Sequence, residues 1–470
     1  MAQAPDTVTM GQKDTAGHRN LRRFKPLKDK LKKFLFVTYD FPPRRTSAVY
    51  RRAAWAKYLP QYGWMPTVLT IETKSWDIVE PELIKKIPPE VKVVRTDYWR
   101  INAWESGAAR SLRIVGGLQS HYNAPNQSRR DRWVRSLGGL VRAALYFPDD
   151  TAGWIPIGLR KALELHSEHR FDLVYSVGPP RSAPQIGLLM KVLKGVPWVV
   201  DYEDPWYPSP RPIRRWFERR LEATMLKHAD AVVVMTQALA DELSRFYRIP
   251  LTKFSVSGCG YDEEDFLPIQ ACEQEFLEPG FVHLNHFGNI YPQNSGRFFP
   301  ALLEFMVENP EAKDRLRVNM FGFPGEAVGS YADEPALKGI LRNHGYLKDR
   351  ETILRLTCSS DWLLLFWARP DFSRFAVAGK TYDYLRAGRP IYAVASEGRL
   401  KEIVETAHAG WVFHPDDVEG MKRGLGRILK GLHNEDTPRT APREYIEQFR
   451  LDHLAAELAA VFDTAVSHAK

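Results

Sequence analysis

Lys380 and Asp383 stand three residues apart at the start of a short run, GKTYDYLRAGRP (379–390), which Gly388 and Pro390 close. A glycine past the end of a helix takes the turn that stops it, and a proline just beyond prevents its continuation. The run therefore reads as a helix of barely two turns, followed at once by a strand from Ile391 to Val394. The free N–H groups and dipole at the start of such a helix favour a negative group. Lys380 adds a point charge suited to phosphate. Asp383, about one turn in, is placed to accept hydrogen bonds from two hydroxyls, such as a ribose diol. Together they make half of a site for a nucleotide diphosphate. Spacing alone leaves a second reading open, a surface helix whose two charges are solvated.

A site of this kind needs an open α/β sheet, where ligands sit beyond the carboxyl ends of the strands. The sequence supplies that rhythm twice. Order begins at KKFLFVTYDFPP (32–43), where Phe34 to Thr38 reads as a buried strand ended by Pro42 and Pro43. A helix (48–63) and a strand (66–72) follow. Strands at 171–180, 197–206 and 230–236 then alternate with helices at 184–195, 214–229 and 237–247. This gives one doubly wound domain over 31–266. The pattern restarts after 267–280, with strands at 283–292, 316–323, 360–367 and 409–415 and a helix at 296–310. A second α/β domain thus covers 280–440, and a last helix (445–465) ends the chain within 441–470.

The chain has 470 residues, 44% hydrophobic and 12% aromatic, enough for two or three domains with sizeable cores. Cys259, Cys272 and Cys358 show no metal-ligand spacing and build no disulfide framework, which fits a reducing, cytoplasmic compartment. Residues 1–30 read as a disordered basic tail without the apolar segment of a signal peptide, and no apolar run nears the ~20 residues of a spanning helix. The net charge of +9 is uneven: residues 1–147 carry about 27 Lys and Arg against about 12 Asp and Glu. That excess suits an anionic partner. The insert at 98–147 concentrates it, mixing Arg129, Arg130, Arg132, Arg135 and Arg142 with Trp133, Leu137, Leu140 and Leu145. Such a segment can lie in a membrane interface, although Gly138-Gly139 interrupts a continuous helix. An ordinary surface helix packed on the core is the other reading. No nucleic-acid module accompanies the arginines, so no nucleic-acid partner is expected.

Five segments, in order, resemble glycosyltransferases of the GT-B fold, most closely the retaining family 4. They are FLFVTYDFPP (34–43), FDLVYSVGPPRSAPQIGLLMK (171–191), PWVVDYEDPW (197–206), HFGNIYP (286–292) and AGKTYDYLRAGRPIYAV (378–394). The resemblance covers residues 33 to 465. It implies two Rossmann-like domains facing across a cleft, the donor on the second and the acceptor on the first. It implies transfer of a sugar from a nucleotide-diphosphate sugar to a glycan or lipid-linked acceptor, in cell-surface or exported polysaccharide synthesis. By motif position Lys380 meets the diphosphate and Asp383 the ribose, while Gly288 and Asn289 let the backbone approach the phosphates. Arg297 is a second phosphate cation. Asp204 and Glu203 face the cleft as the catalytic carboxylates, and Tyr39, Pro42 and Pro43 shape the acceptor side. The closing helix crosses back to the first domain. No metal or other cofactor is expected, and the location is cytoplasmic, peripheral on the inner face of the membrane.

Four positions depart from the family pattern. Glu203 stands where Arg or His is usual, Cys259-Gly260 where Asn-Gly is frequent, and Asp383 where Glu is commoner. The first carboxylate of the paired-Glu motif has no match around 371–376, where Asp371 is a poor substitute. Two alternatives stay open: a non-catalytic nucleotide-sugar-binding subunit of a glycan-assembly complex, and a sugar-nucleotide epimerase. His228 reads as a surface or capping residue, His286 as a residue near the cleft, and Trp154 and Trp206 as packing near its mouth.

Overall fold

The computed structural model describes residues 31–74, 78–98, 147–206, 209–269, 277–323, 325–347, 349–431 and 441–468. The basic tail and all of the basic insert between its end residues lie outside the described residues.

The first sheet has seven strands: β1 Lys32–Thr38, β2 Trp64–Ile71, β3 Lys92–Thr96, β4 Leu173–Gly178, β5 Trp198–Tyr202, β6 Ala231–Val234 and β7 Phe254–Val256. Their order is β3-β2-β1-β4-β5-β6-β7, and every pairing is parallel. The second sheet has six: β8 Val282–Phe287, β9 Leu316–Phe321, β10 Leu341–Gly345, β11 Trp362–Trp367, β12 Ile391–Ala395 and β13 Gly410–Phe413. Their order is β10-β9-β8-β11-β12-β13, again all parallel. The strand order reverses between β1 and β4, and between β8 and β11. Those switch points open the crevices in which such sheets bind ligands.

A parallel strand covered on both faces reads as an unbroken apolar run. In β1, Phe34 and Phe36 enter one core cluster while Leu35 and Val37 enter the other. Three strands escape the sequence reading. β3 is half-buried, β7 has three residues, and β10 carries polar Arg342, Asn343 and His344, so none shows that run.

The last helix of the sequence reading is two helices, Arg443–Glu447 and Leu451–His468. The break lies where the interdomain linker crosses the returning chain. Tyr261 N–H donates to Phe449 O and Leu451 N–H to Tyr261 O, each at 3.0 Å. A Cβ on Gly260 would lie 2.1 Å from Phe449 O, so the crossing excludes any side chain there. The helix Leu451–His468 then packs on the first domain, with the Phe462 ring 5.2 Å from Phe34 and 5.3 Å from Trp64. No helix among the described residues is long and apolar enough to cross a membrane.

Candidate active site

The helix Lys380–Ala387 begins at Lys380 and ends on Gly388 in the left-handed conformation, as its punctuation requires. The Lys380 ammonium lies 3.2 Å from Nε2 of His286, near the carboxyl end of β8. His286 is fully enclosed, and its Nδ1 donates to Leu364 O at 2.9 Å. Burial, reinforced by Lys380, pushes the imidazole pKa well below its usual value. The ring stays neutral and turns its bare nitrogen to the ammonium. Burial pushes Lys380 itself down to about 7. No carboxylate pairs with it among the described residues. Gly288 takes φ +106°, and a Cβ there would lie 2.9 Å from Lys380 Nζ. The missing side chain thus keeps the space beside the ammonium open. Asn289 is exposed, and its Oδ1 accepts from Phe323 N–H at 3.4 Å. Arg297 precedes the helix Phe298–Glu308 and is exposed. Its backbone N–H donates to Pro415 O at 2.8 Å.

Asp383 is not a solvated surface charge. Arg350 grips both of its carboxylate oxygens, at 2.8 and 3.2 Å, and also reaches Asp265 at 2.6 Å. The Arg350 guanidinium lies 4.5 Å from the ring centroid of Tyr50, which belongs to the first domain. A carboxylate has about four lone-pair sites, so a bidentate arginine leaves others for hydroxyls.

On the opposite side, Arg51 and Arg52 lie adjacent on the helix Ser47–Tyr58, 3% and 1% exposed. Arg51 binds Asp201 at 2.7 Å and the carbonyls of Ser257 and Gly258. Arg52 binds Glu203 at 2.5 Å and the carbonyls of Pro179 and Asp40. Glu203 also meets Arg51 at 3.3 Å. The expectation that Glu203 faces the cleft is therefore corrected. It is 8% exposed and serves as counter-ion to two buried arginines, which accounts for an acid where a base is usual.

Asp204, the next residue, is half-buried. Burial and then Glu203 push its pKa up to about 6, against the pull of Arg52 and of Arg369. Arg369 follows β11, so Asp204 feels charges from both domains. Tyr39 packs between Tyr98 and Trp154, with ring centroids at 5.8 and 5.9 Å. Pro42 is buried and its carbonyl accepts from Arg95, while the Pro43 carbonyl accepts from Glu80 N–H at 2.8 Å. These three residues form a packed corner after β1. Asp371 is exposed and pairs with Arg369 at 3.4 Å. Nearby, the Phe375 side chain packs on the first domain's core and its carbonyl accepts from Thr236 Oγ1 at 3.1 Å. The segment lacking the first carboxylate is thus a domain contact. Burial pushes the Cys259 thiol up to about 12, so it offers no thiolate at neutral pH. No cluster of three or more metal-ligating side chains is present among the described residues.

Residues 48–260 match the family model for a glycosyl transferase 4-like domain. The chain has the GT-B fold and resembles glycosyltransferases of family 4. A D-inositol 3-phosphate glycosyltransferase of Stackebrandtia nassauensis is 23% identical over 254 residues, 52% of this chain. That stretch spans little more than half, 56%, of the relative's own length. Among solved structures, sucrose-phosphate synthase of Thermosynechococcus elongatus superposes with a TM-score of 0.62 at 14% identity, covering 93% of this chain and all of that one. HepE of Anabaena, solved with UDP, gives 0.58 at 13% identity, covering 92% of this chain and 99% of its own. At such identity these two speak for the GT-B fold.

Proposed function

We propose that the protein is a glycosyltransferase that takes a sugar from a nucleotide-diphosphate donor and passes it to a glycan or lipid-linked acceptor, in cell-surface or exported polysaccharide synthesis. The observation that carries this is the Lys380 ammonium, half-buried at a switch point beside a neutral histidine, with no carboxylate partner among the described residues. A buried cation without a counter-ion is unfavourable, and a diphosphate at the start of the same helix would relieve it. Anabaena HepE, solved with UDP and with UDP-glucose, supports a nucleotide sugar as the donor class.

In this reading the bond from the anomeric carbon to a phosphate oxygen breaks, and its electron pair leaves with the diphosphate. Lys380 and the helix N-terminus stabilise that negative charge. Gly288 and Asn289 line the approach, Arg297 stands by as a second cation, and Asp383 takes ribose hydroxyls on the lone pairs that Arg350 leaves. Asp204, ionised above pH about 6, accepts a hydrogen bond from the incoming hydroxyl. Tyr39, Pro42 and Pro43 bound the acceptor side. Retention of configuration and independence of a metal follow from the resemblance to family 4.

The test is calorimetric titration of UDP, GDP, ADP and TDP into the wild type and Lys380→Ala. The expected result is one nucleotide bound, with affinity falling roughly tenfold or more in the variant, about 1.4 kcal/mol. Equal binding by both proteins removes Lys380 from the diphosphate site. No binding by the wild type overturns the reading.

A further inference from the structure

The helix Pro212–His228 is inverted over its first half. Ile213, Trp216, Phe217 and Arg220 fall at i, i+3, i+4 and i+7, the spacing that normally marks a core-facing stripe. Here that stripe points outward: Ile213, Trp216 and Phe217 are 75%, 53% and 52% exposed. The two carboxylates of the helix, Glu218 and Glu222, turn inward instead. Glu218 accepts from Ser209 N–H and from Arg214 and pairs with Arg181, while Glu222 accepts from the Tyr247 hydroxyl. These bonds fix the helix rotation, so the aromatic face cannot roll inward without stranding two buried acids.

The outward face is also basic. Arg219 and Arg220 are exposed, while the two carboxylates of the helix are buried, Glu222 close enough to feel the Arg219 charge. Arg219 lies 4.9 Å from the ring centroid of Phe246, itself 51% exposed on the neighbouring helix, and Arg220 lies 5.1 Å from Trp216. A concavity of about 490 Å³ opens among Arg215, Trp216, Arg219, Arg220 and Tyr247. Large apolar side chains and arginines therefore protrude together. A purely acidic surface would answer the arginines and leave the apolar tips in water. A bilayer surface answers both: rings and Ile213 enter the headgroup and acyl boundary, and guanidinium forks meet lipid phosphates.

We propose that this face is a docking surface for an anionic phospholipid bilayer. It does not depend on the nucleotide reading, and its test does not involve nucleotide. The full chain is floated with vesicles of phosphatidylcholine, alone or with about a third phosphatidylglycerol. The wild type should float only with the anionic vesicles, and less as salt rises. The double variants Trp216→Ser/Phe217→Ser and Arg219→Glu/Arg220→Glu should each lose about tenfold or more in vesicle affinity with unchanged melting. The charge reversal alters two exposed positions, so it keeps the test sound if the aromatic variant misfolds. Failure of the wild type to float overturns the proposal, as does equal flotation by a folded variant. It is also overturned if changing Arg129, Arg130, Arg132, Arg135 and Arg142 to Ser abolishes flotation while both double variants keep it. A wild-type dimer in sedimentation that either variant dissociates, without change in flotation, would assign the face to a second copy instead.

Discussion

Each domain of this molecule carries a cationic site, one fully buried and one half-buried, and the two are resolved in opposite ways. On the first domain, Arg51 and Arg52 meet Asp201 and Glu203, and their remaining donors reach backbone carbonyls of Asp40, Pro179, Ser257 and Gly258. Those carbonyls follow β1, β4 and β7, so one helix staples the ends of three strands. On the second domain, Lys380 has a neutral imidazole and an open glycine. The first cluster is charge-complete and is architecture. The second lacks an anion and is where one can bind. Like charge does not make equal roles; what separates the two sites is their burial and the count of counter-ions.

The largest effect should come from breaking the complete cluster. Glu203→Gln leaves Arg52 with only Asp40, at 4.0 Å, and should cost about 3–5 kcal/mol in chemical denaturation, because the cation stays buried without its close counter-ion. A loss below about 1 kcal/mol would mean that Glu203 is not a structural counter-ion, and would return it to the list of catalytic candidates. The incomplete cluster should respond with the opposite sign. Lys380→Met removes an uncompensated, half-buried charge, so the free protein should melt higher, while affinity for the nucleotide falls roughly tenfold or more. A variant that melts lower would show a counter-ion at Lys380 and erase the contrast. Next comes Gly288→Ala. It forces a Cβ into a positive-φ position, 2.9 Å from the ammonium. It should destabilise by about 1 kcal/mol or more and weaken nucleotide binding together. Unchanged binding would place the phosphates elsewhere.

The contrast also explains what the sequence disclosed. Parallel strands buried on both faces announce themselves as apolar runs, so β1, β4, β5, β6, β8, β11 and β12 were legible. The half-buried β3, the short β7 and the polar β10 were not, because none carries such a run; the half-buried edge strand β13 was read from its apolar Trp411, Val412 and Phe413. Lys380 and Asp383 were legible because helix punctuation frames them. Their pairings were not: His286, read only as near the cleft, lies 94 positions away from Lys380, and Arg350, not singled out at all, 33 away from Asp383. The Glu203 role was hidden for the same reason, although one local signal existed. Arg51-Arg52 sits inside AVYRRAAWAKY, where two adjacent charges amid small and aromatic residues ask for buried acids. The inverted helix misled in the other direction, since the spacing of Ile213, Trp216 and Phe217 fits a core stripe equally well.

The sharpest effect is in pH. In the unfolded chain Lys380 titrates near 10.5, and in the folded protein near 7. Between those values the unfolded state binds more protons, so this residue makes stability rise with pH from about 7 to 10.5 and imposes its full penalty below 7. Lys380→Met should lose that slope, measured by denaturation at a series of pH values. Nucleotide binding reverses the sign, since the diphosphate prefers the ammonium. Affinity should therefore fall as pH rises through about 7, by up to one decade per pH unit, with proton uptake seen as buffer-dependent heat. Arg51 and Arg52 remain charged throughout, so their cluster contributes no such slope from the arginines. A pH-independent affinity between 6 and 9 would mean that the ammonium is already matched by an anion in the free protein. The two clusters would then be alike, and the diphosphate would have to be sought at Arg297.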